Sequence, residues 1–138
     1  MIKEFKVGDV YFEEWVPSVE DVNRYAKLSG DYNSIHINLN TAEKLGYKNI
    51  IVHGNLTCSV ISRVIGMSFP GEGSIILDQS VSFPNPIFPN DLIKFEFSVL
   101  SVNYELSILE IKVRAHKFNK EIKKKNDAVL RGKIICQI

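Results

Sequence analysis

Gly54-Asn-Leu-Thr-Cys-Ser-Val-Ile-Ser-Arg-Val-Ile65 is the stretch on which the fold turns. Leu56, Val60, Ile61, Val64 and Ile65 recur with Thr57 and Cys58 between them, and apart from Arg63 the segment is apolar or small nearly all round. That pattern predicts a helix buried on most of its sides. The second half of the chain reads as strand. Ile75 to Phe83 comes first, and Ile93-Lys-Phe-Glu-Phe-Ser-Val99 alternates apolar and polar residues strictly. Leu106 to Phe118 and Ala128 to Ile138 are two further β-rich runs. Phe83 to Asp91 is a Pro-rich connection, and the basic segment from Lys117 to Lys125, with Asn119, Asn126 and Asp127, reads as a hairpin tip or loop. Upstream, Val7 to Trp15 suggests a short strand and turn. Ser18 and Asp21 form a capping-box-like start to a helix that runs through Val22, Tyr25, Ala26 and Leu28 to Gly30. Asn40 is the expected cap of a short helix from Thr41 to Leu45, closed by Gly46. The class is α+β, and one long buried helix followed by consecutive long strands suggests a curved antiparallel sheet wrapped around it.

Length and composition bound the function. The chain has 138 residues, enough for one domain spanning 1–138 with its own core. It is 45% hydrophobic and 24% charged, with a net charge of +1, so bulk electrostatics point to neither nucleic acid nor a membrane surface. Cys58 and Cys136 show no metal-ligand spacing and sit in apolar contexts, as buried thiols of an intracellular protein do. Met-Ile-Lys-Glu-Phe-Lys at the start has no long apolar run. The expectation is a cytoplasmic protein with no signal peptide, no membrane segment, no metal and no cofactor.

The chemistry-bearing residues lie just before the long helix. Asp31 and His36 are five residues apart in a polar stretch. On a helix that spacing would set their side chains about 140° apart. Gly30, Asp31 and Asn33 favour a loop, which can turn both groups toward one spot. A carboxylate and an imidazole converging on a pocket suit proton transfer to and from a water or hydroxyl. A turn Asp beside a satisfied core His is the alternative.

Tyr25-Ala-Lys-Leu-Ser-Gly-Asp-Tyr-Asn-Ser-Ile-His36, with Ala42 five residues on, resembles the hydratase motif of the MaoC-like (R)-specific enoyl-CoA hydratases and 3-hydroxyacyl-CoA dehydratases. The pair His53-Gly54 before an apolar helix is similar too. So are Gly73-Ser-Ile-Ile-Leu-Asp-Gln-Ser-Val-Ser-Phe83 and Pro86-Ile-Phe-Pro-Asn-Asp91, and the likeness runs from about Phe5 to the C-terminus. Ser34 stands where the family has Pro, and Asn55 where a large apolar residue follows His-Gly. The resemblance implies a hot-dog fold, and hydration of a trans-2-enoyl thioester to the (3R)-hydroxyacyl thioester or the reverse, on short to medium chains. The substrate would be carried on CoA or an acyl carrier protein, by a homodimer or higher homo-oligomer.

On that reading Asp31 and His36 hold one water from two sides, leaving open which is base and which acid. The backbone N–H of Gly54, at the positive end of the long helix, is the family's donor to the thioester oxygen. Asn33 either orients the loop or the carboxylate, or is a plain turn residue. His53 either anchors the helix entry or acts directly. Ser62 either hydrogen-bonds Asp31 or bonds back to its own helix. Ile65 and Leu130 resemble positions lining the acyl pocket, and would look the same as core. Lys117, Lys120, Lys123, Lys124 and Lys125 meet CoA phosphates or form a solvated loop. Three rivals are a hot-dog thioesterase, which would hydrolyse C1, a related dehydratase acting on a branched or methyl-substituted acyl-CoA, and a non-catalytic acyl-thioester-binding subunit.

Overall fold

Alternation in the second half of the chain becomes a sheet. A computed structural model of the protein describes residues 3–118 and 127–138. Its strands are β1 (Val10–Trp15), β2 (Ile75–Ser82), β3 (Ile93–Asn103), β4 (Ile108–Lys117) and β5 (Ala128–Gln137). They form one five-stranded antiparallel sheet in the order β1-β3-β4-β5-β2. Inward residues of β3 (Ile93, Phe95, Phe97, Val99) and of β4 (Leu109, Ile111, Val113, Ala115) are fully buried, while their neighbours face out. The period of two in the sequence is therefore the period of a sheet with one dry face.

Four helices precede or interrupt the strands: α1 (Val19–Ser29), α2 (Ser34–Ile37), α3 (Leu39–Lys44) and α4 (Gly54–Met67). α4 is the helix of the opening stretch. Val60, Ile61, Val64 and Ile65 from it join Phe95, Phe97, Ile111, Leu130 and Ile134 of the sheet in one core cluster. Its other side is less covered than an all-round apolar pattern implies, for Asn55, Ser59, Ser62 and Arg63 are exposed. A long helix lies in the curve of an antiparallel sheet, the hot-dog arrangement.

Local signals were largely obeyed. Ser18 and Asp21 make a reciprocal capping box, with Asp21 N–H donating to Ser18 Oγ at 3.0 Å and Ser18 N–H to Asp21 Oδ2 at 2.9 Å. Gly30 ends α1 at φ 78°, where a Cβ would be strained. Three expectations need correction. The cap of the short helix is Asn38, whose Oδ1 accepts from Thr41 N–H at 3.0 Å; Asn40 lies inside α3. Asn38 wins because it is also the residue that ends α2, so its extended backbone serves both helices. The stretch from Asp31 to His36 is not loop throughout, because His36 sits on the single turn of α2. Val7 and Gly8 form a turn entering β1, so the strand begins only at Val10 and runs through the aromatic stretch to Trp15. Of the basic segment, Lys120, Lys123, Lys124 and Lys125 lie outside the described residues. Lys117 pairs with Asp91 at 3.0 Å.

Candidate active site

The site grows out of the end of α1. After Gly30 reverses the chain, a relay of short side chains holds the backbone. Ser29 Oγ accepts from Asp31 N–H at 3.1 Å, Asp31 Oδ1 from Asn33 N–H at 3.1 Å, and Asn33 Oδ1 from Ile35 N–H at 3.3 Å. Asn33 is thus the N-cap of α2. Ser34 occupies the first helical position, where Pro would be pre-organised, and the Asn33 cap holds the turn without it.

α2 carries His36 toward α4. His36 Nδ1 lies 2.6 Å from the carbonyl oxygen of Ile51. A carbonyl only accepts, so Nδ1 carries the proton and donates, and Nε2 keeps a free lone pair. Asp31 is half exposed at the rim. One atom from each of Asp31, His36 and His53 can be chosen so that all lie within 4.8 Å of one another. A water bridging the Asp31 carboxylate and the free His36 nitrogen would donate one hydrogen to each. The loop expectation thus placed the two groups together for the right reason, although the last part of the segment is helical.

His53 is more involved than a helix anchor. It is 2% exposed, and its ring stacks on His36 with centroids 3.8 Å apart and planes 23° from parallel. Tyr25 meets it edge-on at 4.8 Å. His53 Nε2 donates to the Asp31 carbonyl at 3.1 Å and stands 3.9 Å from Asp31 Oδ2, while Nδ1 is buried without a partner among the described residues. Burial pushes its pKa below the ordinary 6.5, and His36 adds to this, against the opposing pull of the Asp31 carbonyl and carboxylate. A neutral ring with Nε2–H fits that environment. As a metal set the trio is poorly aimed. Near-parallel rings send their in-plane lone pairs side by side, and the Nε2–H of His53 is committed to a backbone carbonyl.

Gly54 opens α4, so its N–H has no partner within the helix. It also meets the Phe83 ring closely: a Cβ would stand 3.0 Å from Cζ, and the ring would have to give by a few tenths of an ångström to admit it. Both Gly54 and His36 line a cavity of about 350 Å³, closed by Tyr47, Thr57, Phe83 and Asn85. Sequence reasoning singled out none of these four. Asn85 between two prolines was the visible signal, a polar residue in a stiff connection. Ser62 is exposed two turns along α4 and makes no hydrogen bond to Asp31. Ile65 and Leu130 are in the core, 1% and 0% exposed, and do not line this cavity. Burial raises the thiol of Cys58 and pushes that of Cys136 up to about 11, so neither is an ionised nucleophile near neutrality.

Residues 8–116 match the family model described as MaoC like domain. A mitochondrial 3-hydroxyacyl-[acyl-carrier-protein] dehydratase of Arabidopsis thaliana is 41% identical over 86 residues, 62% of this chain and 51% of that protein. An (R)-specific enoyl-CoA hydratase of Aeromonas caviae is 35% identical over 94 residues, 68% of this chain and 70% of that protein. The chain therefore spans from about half to about two thirds of these relatives. Among solved structures, the (R)-hydratase from A. caviae involved in PHA biosynthesis superposes with a TM-score of 0.88 at 26% identity, covering 99% of this chain and 98% of that one. With a family match over most of its length and a solved relative that superposes along nearly the whole chain, this chain belongs to the MaoC-like domain family, on the hot-dog fold.

Proposed function

We propose that the protein is an (R)-specific enoyl-thioester hydratase, equivalently a 3-hydroxyacyl-thioester dehydratase, acting on short to medium chains. The observation that carries this is that side-chain atoms of Asp31 and His36 lie within 4.8 Å of each other, while His36 and Gly54 line one cavity. Water held there donates to Asp31 and to His36 Nε2. As its oxygen attacks C3, one acceptor takes a proton, negative charge builds on the thioester oxygen, and Gly54 N–H donates to that oxygen. C2 then collects a proton. Both groups are acceptors in this arrangement, so the proton reaching C2 originates in the same water. Positioned proton transfer contributes about 10²–10⁴-fold, and one oxyanion donor about 10²–10³-fold. The overall change adds water without oxidation or reduction, so it calls for no redox cofactor.

The thioester carrier is CoA or an acyl carrier protein. The names of the two relatives above include one of each. Ile65 and Leu130 are assigned to the far wall of the acyl site, a reading supported by their lying in the one core cluster that α4 shares with the sheet. A homodimer is favoured by β2, an edge strand with exposed Ile75 and Leu77. A reducing, cytoplasmic location fits two free thiols. Among the described residues no helix is long and apolar enough to cross a membrane.

The test is crotonyl-CoA, following loss of enoyl absorbance and resolving the product by chiral chromatography. (R)-3-hydroxybutyryl-CoA is expected. The (S) isomer would overturn the stereochemical assignment, thiol release would indicate a thioesterase, and no turnover a binding subunit.

A further inference from the structure

The outer face of the sheet carries a block of cations that the reaction chemistry does not use. In the register of β4 and β5, Lys112 stands opposite Lys133 and Arg114 opposite Arg131. The alternate residues Ile111, Val113 and Ala115 are buried, so these four point outward. β2 extends both rows, with Ser80 beside Lys133 and Ser82 beside Arg131. Like charges directly opposite each other destabilise a sheet. Lys133 has Glu110 at 3.8 Å, but among the described residues neither Arg114 nor Arg131 has an ion pair, although Glu96 faces Arg114 across β3. For a chain of net charge +1 this is a marked concentration.

The two arginines flank a cavity of about 360 Å³, with His116 and Ala128 on its wall. This cavity adjoins the catalytic one. Asn85, which lines the inner cavity, donates from Nδ2 to the carbonyl of Ala128 at 2.8 Å. The pair Ser82–Arg131 also lies next in the chain to Phe83, another inner-wall residue.

We propose that this outer cavity binds the nucleotide end of a CoA thioester, its 3′-phosphate and diphosphate, while the pantetheine arm crosses the strand ends to the Asp31–His36 site. The proposal rests on the hydratase reading for the other end of the ligand. Guanidinium groups present forked donors that match phosphate oxygens and flat faces that stack on a purine. Serine hydroxyls at the ends of both rows add donors. The acidic surface of a carrier protein would need the charge but no cavity, which is why the nucleotide is the better occupant.

Arg114→Gln/Arg131→Gln tests it, with crotonyl-CoA against crotonyl-pantetheine, which lacks the nucleotide. Removing one charge-assisted hydrogen bond weakens binding by about tenfold or more. The wild type should prefer crotonyl-CoA in kcat/KM, and the double variant should lose that preference by at least about tenfold, through KM. Binding of adenosine 3′,5′-bisphosphate by calorimetry should disappear with it, and should weaken with salt in the wild type. Arg131→Lys, which keeps the charge without the fork, should fall between and guards against a misfolded double variant. An unchanged preference would overturn the proposal, as would a loss seen only with crotonyl-acyl carrier protein or a changed oligomeric state. If the wild type hydrates neither substrate, the reaction reading has failed. The bisphosphate titration then decides this site alone, binding in the wild type and loss in the variant supporting it, no binding overturning it.

Discussion

At the residue scale, Asp31 and His36 each use one atom to hold the backbone, Oδ1 on Asn33 N–H and Nδ1 on the Ile51 carbonyl, which leaves Oδ2 and Nε2 for chemistry. Removing them takes away proton transfer and little packing, since Asp31 is half exposed and His36 is only partly buried. Asp31→Asn and His36→Gln should each lower kcat by at least about 10²-fold, with thermal midpoint and KM little changed. A fully active Asp31→Asn enzyme in a steady-state assay would sink the mechanism. His53 is different, because its neutral ring is part of the packing. Its pKa is lowered in the folded state, so above the unfolded value of 6.5 its contribution is fully present. As pH falls below 6.5 the unfolded chain binds the proton first, and stability is lost progressively toward the lowered folded value. Thermal melts should show the midpoint dropping through that window. His53→Phe should flatten the drop, whereas an identical slope in the variant would assign the effect to other groups.

Element-scale behaviour follows from caps and from the packing of α4. Asn38 serves two short helices at once, so Asn38→Ala should cost about 1 kcal/mol or somewhat more, and Asn40→Ala distinctly less. Urea unfolding of the two variants gives the comparison directly, and equal losses would contradict the cap assignment. Along α4, Ile65 meets the sheet in the same cluster as Leu130. Truncating either to Ala should lower stability by about 2–5 kcal/mol. If the space opened is reached by the acyl tail, each added buried methylene is worth about 0.8 kcal/mol. The octenoyl-to-crotonyl ratio of kcat/KM should then rise by up to about tenfold for one extra two-carbon unit. A ratio unmoved in both variants would leave the two residues as plain core.

For the whole molecule, the decisive feature is the open edge. β2 ends the sheet with unpaired backbone groups and exposed Ile75 and Leu77, surfaces that natural proteins cover. A second copy pairing there would extend the sheet and hide both side chains. Light scattering at micromolar concentration should therefore give a dimer mass or larger. Leu77→Lys should shift the protein toward monomer and lower its thermal midpoint. An active monomer in the wild type would refute the dimer.

What the chain determined by itself were the features that depend on near neighbours. The period of two in Ile93 to Val99, the Ser18–Asp21 box, the left-handed Gly30 and the apolar run of α4 each act within a few residues, so their outcome is written in local spacing. The Asp31–His36 pair was legible for the same reason, five residues apart on a turn-forming segment. Tertiary structure alone decided what those residues meet. His53 lies 22 residues from Asp31, and only folding puts its ring against His36 and its Nε2 on the Asp31 carbonyl. Phe83 against Gly54, the Ile51 carbonyl that sets the His36 tautomer, and the like-charged rows of β4 and β5 also join positions far apart in sequence. Whether Asn38 or Asn40 caps α3 was equally undecidable from composition, since both are asparagines and only the backbone entering from α2 distinguishes them. Local pattern records propensity, whereas proximity across the chain follows from which faces the core buries, and that is settled only when sheet and helix close on each other.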